Sequence, residues 1–94
     1  MKPTLGKKVY CIYNDNCILV ERIGYIGKDS FIIERFSDNV CFDSLEWSYE
    51  EYNETWFTNL KDAKAKLLEI APNPFNEKLI IKRIADDYYE VASK

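Results

Sequence analysis

Short stretches of β-branched and aromatic residues, each ended by a turn, constrain this chain more than any other feature. Val9–Tyr13, Cys17–Ile26 and Phe31–Phe36 are rich in Ile, Val, Tyr and Phe, which favour strands. They are separated by Asn14–Asn16 and Gly27–Ser30, whose Asn, Gly and Ser residues favour turns. Because short turns join antiparallel neighbours, the pattern predicts an antiparallel β-meander.

The strand pattern continues beyond the third stretch. A turn at residues 37–39 leads into an apolar run at 40–42, and apolar residues alternate with polar ones over 45–50. Such alternation predicts a strand with one buried and one wet face. A short return strand is expected at residues 55–57. Gly24, inside the second stretch, predicts a bulge that bends the strand.

One helix is expected over about residues 59–70. Thr58 is its expected N-cap, and Pro72 ends it. Its buried stripe repeats at three- and four-residue spacing and consists of Leu60, Ala63, Leu67 and Ile70.

The tail, residues 77–94, fits two structures. Strand-like runs at Leu79–Ile84 and Tyr88–Val91 flank a turn and predict a hairpin. The density of Ile, Tyr and Val favours this hairpin. A helix is the alternative, with a buried stripe formed by Ile81, Ile84, Tyr88 and Val91.

A length of 94 residues predicts a single domain over residues 1–94. The meander is too short for a two-layer sandwich, so it is expected to curl on itself and to seat the helix on its open side. The predicted fold is therefore α+β: a small SH3-like antiparallel β-barrel or half-barrel meander with one packed helix (about 59–70) and a C-terminal hairpin or helix.

The residue types that are missing argue against catalysis. The chain has no histidine, which excludes Ser-His-Asp and Cys-His active sites. Cys11, Cys17 and Cys41 form no Cys-x-x-Cys pair, the spacing that a zinc ribbon or a thioredoxin-like motif requires. We expect reduced cysteines in the core or in strands, with a Cys11–Cys17 bridge as the alternative. The neighbouring pair Asp86-Asp87 is interpreted as a turn rather than as a Mg²⁺ site.

Sequence also bears on location and on cofactors. Residues 1–8 lack the apolar segment of a secretion signal, and no stretch of the sequence is long and apolar enough to span a bilayer. No glycine-rich phosphate loop is present. We therefore expect a cytoplasmic, non-enzymatic protein with no cofactor, no metal and no membrane contact.

Charge is unevenly distributed along the chain, whose net charge is −3. Residues 36–60, called the acidic segment below, contain no Lys or Arg, whereas the residues on either side carry small positive net charges. The acidic segment also holds Trp47, Tyr49, Tyr52 and Trp56. Its six acids are Asp38, Asp43, Glu46, Glu50, Glu51 and Glu54.

The acidic segment allows two interpretations. In the first, the acids blunt the edge of a solvated strand and the aromatic residues belong to the core. In the second, the carboxylates meet Lys and Arg of a basic protein while aromatic rings anchor the contact. Such a surface blocks a protein whose basic residues bind the phosphates of nucleic acid, because it occupies those residues. The same negative charge disfavours direct binding of nucleic acid. The predicted binding residues are Asp43, Glu46, Trp47, Tyr49, Glu50, Glu51, Tyr52 and Glu54.

The predicted function is a non-enzymatic protein–protein interaction module that inhibits a basic, nucleic-acid-binding protein through this acidic aromatic face. The alternative is a structural or self-assembling domain, in which an exposed edge strand of the tail hairpin pairs with the same strand of a second copy. A third interpretation is a cage of rings that holds a cation, built from Tyr10, Tyr13, Tyr25, Trp47 and Tyr49.

The stretch Thr55–Lys64 follows a hairpin meander and joins a strand end to a helix start, with Trp56, Thr58 and Ala63 as its characteristic residues. In this it resembles small phage- and prophage-type proteins of AT-rich Gram-positive bacteria. The resemblance covers most of residues 8–70. It implies an accessory protein of a phage-like element, for example a counter-defence protein of the anti-CRISPR kind, and it assigns no functional residue.

Overall fold

The computed structural model describes residues 2–94. Within them it has seven strands and one α-helix, together with a 3₁₀ turn at Tyr49–Glu51. In chain order these elements are β1 (Lys8–Tyr13), β2 (Cys17–Ile26), β3 (Ser30–Ser37), β4 (Val40–Ser48), β5 (Trp56–Phe57), α1 (Leu60–Ile70), β6 (Leu79–Ala85) and β7 (Tyr88–Ser93). The tail is therefore the hairpin that propensity favoured, and not the alternative helix.

All strand pairs are antiparallel, and β2 is the strand that organises them. The strands follow the order β4-β3-β2-β1-β5, while β7 pairs with both β2 and β6. The first half of β2 pairs with β7 at Cys17–Leu19, and its second half pairs with β3 at Ile23–Ile26. The sheet thus divides into two arms that share β2, called below the β3–β4 arm and the β6–β7 arm. The register shifts between Ile23 and Tyr25, which confirms the bulge predicted at Gly24.

Two apolar cores lie on opposite faces of β1 and β2, because successive side chains of a strand point to opposite faces. Leu19 and Ile23 contribute to a core under the β3–β4 arm that is centred on Trp56. Ile18 and Val20 contribute to a second core under α1. Both faces of the central strands are therefore covered, one by the β3–β4 arm and the other by the helix.

The sheet is not closed into the SH3-like barrel that the sequence predicts. β4 and β5 end the strand path and do not pair with each other, and β6 ends the other arm. Closure is not needed to bury apolar surface here, since both faces of the central strands are already covered. The α+β class with one packed helix is confirmed.

The helix begins one residue later than expected, and its cap differs from the predicted one. Asn59 has extended backbone angles, and its side chain accepts a hydrogen bond from the Asp62 N–H at 2.8 Å. The predicted cap, Thr58, instead pairs with the Tyr52 hydroxyl at 3.2 Å. Ala63 and Leu67 are fully buried, as the predicted stripe requires.

Across residues 2–94, no helix is long and apolar enough to cross a membrane.

Arg35 links the two arms of the sheet. Its Nη1 lies 3.3 Å from Glu21 Oε1 on β2, and its Nη2 lies 3.4 Å from Asp87 Oδ2 in the turn between β6 and β7. The contact with Glu21 is an ion pair without well-aligned hydrogen-bond geometry. Burial raises the pKa of Glu21, and the charge of Arg35 opposes that rise. This cluster therefore ties β3 to β2 and to the β6–β7 arm through charge.

Candidate functional site

The acidic segment begins at the end of β3 and continues to the start of α1. It includes all of β4, the 3₁₀ turn and β5. Trp47 and Glu46 lie on opposite faces of β4, as the alternation predicts, because Trp47 is buried and Glu46 is exposed. The segment is thus part core and part surface.

The three aromatic side chains predicted as anchors have structural roles. Trp47 is buried in the core under the β3–β4 arm. Tyr49 packs against that core and donates a hydrogen bond from its hydroxyl to the Gly27 carbonyl at 2.7 Å. The Tyr52 ring packs against Trp56 at an interplanar angle of 45°, with 4.7 Å between ring centroids. Trp47 therefore belongs to the core, whereas Tyr49 and Tyr52 are half-buried and pack against it.

Two of the predicted carboxylates bind the outer edge of β4. Asp43 Oδ1 accepts a hydrogen bond from the Ser44 N–H at 2.9 Å. Glu51 Oε1 accepts one from the Ser48 N–H at 3.4 Å as part of a capping box. The Trp56 indole N–H occupies a further backbone group of this edge, because it donates a hydrogen bond to the Ser48 carbonyl at 2.8 Å. These contacts occupy backbone groups that an added strand needs, so Asp43 and Glu51 blunt the edge.

The remaining carboxylates of the segment face solvent. Asp38, Glu50 and Glu54 are exposed, and Glu46 accepts a hydrogen bond from the Ser30 hydroxyl. The ion pairs found among residues 2–94 use Glu21, Glu69, Asp86 and Asp87. None of the six acids of the acidic segment takes part in them, so their charge is not neutralised within the described part of the chain.

The sequence interpretation missed the apolar tip of the β3–β4 arm. Phe36, Val40 and Phe42 are 59%, 65% and 61% exposed, and they flank the two-residue turn Asp38-Asn39, whose residues have positive φ. In the sequence, the stretches that contain Phe36, Val40 and Phe42 have the composition of ordinary strands. The residues nearby do not indicate where the pairing with a neighbouring strand ends. The ladder between β2 and β3 ends at Ile33, so the tip has no strand paired with it on the β2 side, and its apolar side chains remain exposed.

A cleft of about 250 Å³ opens beneath the tip. Its walls include Phe42 and Asp43 of β4, Cys17 of β2 and Tyr88 of β7. Burial raises the pKa of the Cys17 thiol, which keeps it protonated near neutral pH. A protonated thiol is a weak nucleophile, and the cleft therefore offers space for a side chain rather than an activated group.

The three cysteines are free and differ in exposure. Cys11 and Cys17 are buried, whereas Cys41 lies exposed at the tip; the alternative Cys11–Cys17 bridge is not formed. Burial raises the pKa of Cys11 as well.

We expect Cys41 to react with an aromatic disulfide reagent at least about 100-fold faster than the two buried thiols, which become accessible only when the structure opens. Absorbance of the released thiolate measures one rapid equivalent per chain. Cys41→Ser is expected to abolish the rapid phase and to leave the slow one. A rapid phase that persists in this variant would contradict the burial of Cys11 and Cys17.

Other predicted groupings are not brought together. Tyr10 packs in the core under α1, Trp47 packs in the opposite core, and Tyr25 is exposed, so the five rings form no cation cage. Asp86 pairs with Arg83, and Asp87 pairs with Arg35. No group of three or more Cys, Asp or Glu residues that could hold a metal ion occurs in the described residues.

Comparisons of the chain with protein-family models, with curated proteins and with solved structures found no match. The resemblance to phage-type proteins therefore stays a prediction. The candidate site rests on geometry alone: an exposed apolar tip beside carboxylates that have no cationic partner in the described chain.

Proposed function

We propose that the protein is a non-enzymatic binding module that docks a basic protein on the exposed side of its acidic segment. One observation carries the proposal: Phe36, Val40 and Phe42 are exposed on the same hairpin that leads into a row of unneutralised carboxylates. Exposed apolar side chains and exposed carboxylates on one hairpin are typical of a contact that combines an apolar part with a polar one.

The anchors in this proposal differ from those expected from the sequence. Trp47, Tyr49 and Tyr52 are used within the fold, so the tip residues Phe36 and Phe42 take the anchoring role. Phe42 also forms a wall of the 250 Å³ cleft, into which a partner side chain can enter. The apolar part of the contact is therefore at the tip, and the exposed carboxylates extend the contact along β4 to the 3₁₀ turn.

The charges define the class of partner. Asp38, Glu46, Glu50 and Glu54 present carboxylates to solvent, and the net charge of the chain is −3. A negative surface steers a positively charged protein towards it and repels nucleic acid. A protein that grips phosphates has such a positive surface. Occupying that surface inhibits it, which fits the counter-defence role that the resemblance implies.

The test uses a fluorescein-labelled peptide in which arginine alternates with leucine, with binding measured by fluorescence anisotropy at low salt. We expect Glu50→Lys/Glu54→Lys to weaken binding about tenfold, because two favourable charge contacts become repulsive. Phe36→Ser/Phe42→Ser is expected to weaken it by a similar factor through loss of the anchors.

A matched control is Glu69→Lys/Asp86→Lys, which changes the net charge by the same amount at exposed ion pairs outside the acidic segment. It is expected to change the affinity less than about threefold, since these charges lie outside the proposed face and are screened from a peptide bound there. Equal losses in both double variants would mean that only net charge matters and would refute the proposed face. Binding of a labelled DNA duplex in place of the peptide would refute the class of partner.

A further inference from the structure

The outer edge of β6 is open. β6 pairs only with β7, and on that side the Lys94 N–H donates to the Lys78 carbonyl at 2.9 Å. In an antiparallel strand the backbone groups of successive residues point alternately to its two sides. The backbone groups of Ile80 and Lys82, which lie two and four residues after Lys78, therefore also point to β7. The backbone groups of Leu79, Ile81 and Arg83 point outward.

This edge differs from the edge of β4. On β4, Asp43, Glu51 and Trp56 occupy outward backbone groups. On β6, within residues 2–94, no side chain bonds an outward N–H or C=O. An unblocked edge of this kind is a template for another strand. Strand addition is thus expected at β6 rather than at β4.

Apolar side chains border the open edge. Ile80 and Ile84 are 37% and 53% exposed, and Lys82 lies between them on β6. A partly apolar edge with one lysine favours strands that place no second lysine opposite it, since like charges directly opposite are destabilising. The lysine therefore selects the register of pairing.

We propose that the occupant is a second copy of this chain, whose β6 pairs with β6 antiparallel about a two-fold axis at Ile81. In this register Ile80 lies opposite the partner copy's Lys82, and Leu79 lies opposite its Arg83. Extending the pairing places Lys78 opposite Ile84. Every charged residue of the strand thus meets an apolar one, and the stem of Lys82 covers Ile80.

Only registers in which outward residues face each other can form hydrogen bonds. Of the neighbouring ones, an axis at Ile80 places Lys78 opposite Lys82. An axis at Lys82 or at Arg83 places that residue opposite itself, and an axis at Leu79, the first residue of β6, pairs only the start of the strand. The axis at Ile81 also places residues with outward backbone groups opposite each other. Ile81 then forms a hydrogen-bonded pair with Ile81 of the second copy, and Leu79 forms one with Arg83 of that copy. This self-complementarity is the reason for choosing a second copy over an unrelated strand. The proposal is independent of the acidic segment, which contains no residue of β6 or β7.

The test compares two charges at one position. Ile80→Glu places a carboxylate opposite the partner copy's Lys82 at two symmetric sites, whereas Ile80→Lys places an ammonium there. Both variants lose the same apolar contact. We expect the Glu variant to dimerise about tenfold more tightly than the Lys variant, as measured by sedimentation equilibrium over a dilution series, with circular dichroism unchanged in both.

The same two substitutions at Ala92, which lies opposite Ile80 on β7, serve as the control. They change charge on the same face one strand away from the proposed axis, so the difference between them is expected to be less than threefold, roughly. Equal dimer affinity of Ile80→Glu and Ile80→Lys would overturn the register. A wild-type chain and an Ile80→Glu variant that both stay monomeric at the highest attainable concentration would overturn the dimer, and peptide binding at the tip would be unaffected by either outcome.

Discussion

Replacing Trp56 with alanine is expected to lower the free energy of unfolding by about 4 kcal/mol, as is typical when a large buried ring is truncated. The side chain is fully buried. It packs edge-on against Phe31 at 4.9 Å and donates from its indole nitrogen to the Ser48 carbonyl. A domain of this size has a stability of roughly 5–10 kcal/mol. Urea unfolding followed by circular dichroism should therefore show a midpoint lower by about 3 M.

The matched control is Phe42→Ala, which removes a ring from the exposed tip. Surface positions away from special features change stability by less than about 0.5 kcal/mol, so the urea midpoint is expected to stay nearly constant. A large loss of stability in Phe42→Ala would show that the tip is packed within the chain. That result would also remove the apolar centre of the proposed binding face.

Replacing Arg35 with methionine is expected to destabilise the fold by about 2 kcal/mol at pH 7, because the half-buried Glu21 is left without its cation. The variant also loses the contact between β3 and Asp87 on the other arm. Methionine keeps much of the volume, so the effect reports charge more than packing. Urea unfolding at two pH values measures it.

The loss should shrink as the pH falls. Burial raises the pKa of Glu21 above the ordinary value of 4.5, and Arg35 works against that rise. Without Arg35 the pKa rises further. Between the ordinary and the raised pKa the folded state holds more protons than the unfolded state, so stability decreases as the pH increases through this window. The Arg35→Met variant is thus expected to be closest to wild type below about pH 4.5, where Glu21 is protonated in both the folded and the unfolded state.

Adding Glu21→Gln to Arg35→Met is expected to recover stability at pH 7 and to flatten the dependence on pH, because no buried charge remains at that position. If the double variant is as unstable at pH 7 as Arg35→Met alone, the loss arises from packing and not from the unpaired carboxylate. The role of Arg35 as the electrostatic link between the arms would then be wrong.

Much of the secondary structure follows from local chemistry. The bounds of β2, the bulge at Gly24 and the helix stripe of Ala63 and Leu67 were predictable, because strand propensity, turn residues and helical periodicity each act over a few neighbouring residues. The sequence predicts Thr58 as the helix cap, whereas the structure has Asn59, and both residue types are good N-caps. Which of them does so depends on Tyr52, which engages the Thr58 hydroxyl.

The candidate site was less predictable. The charge of the acidic segment is visible in the sequence, yet the sequence does not show that Asp43 and Glu51 bind the backbone edge of β4 while Glu50 and Glu54 face solvent. Nor does it show that Trp47 is buried and Phe42 exposed, since both are large apolar residues on one strand. Exposure depends on which strands lie beside and above each position.

By itself, the sequence determined an antiparallel α+β chain with an uneven charge distribution, because local propensities and formal charges do not depend on distant contacts. Only the tertiary structure decided that β2 would divide its pairing between β3 and β7 and that the sheet would stay open. Strand pairing joins residues far apart in the chain, and its outcome is set by which arrangement buries both faces of the central strands. That arrangement left the tip at Phe36–Phe42 and the edge of β6 uncovered, and these surfaces carry both proposals.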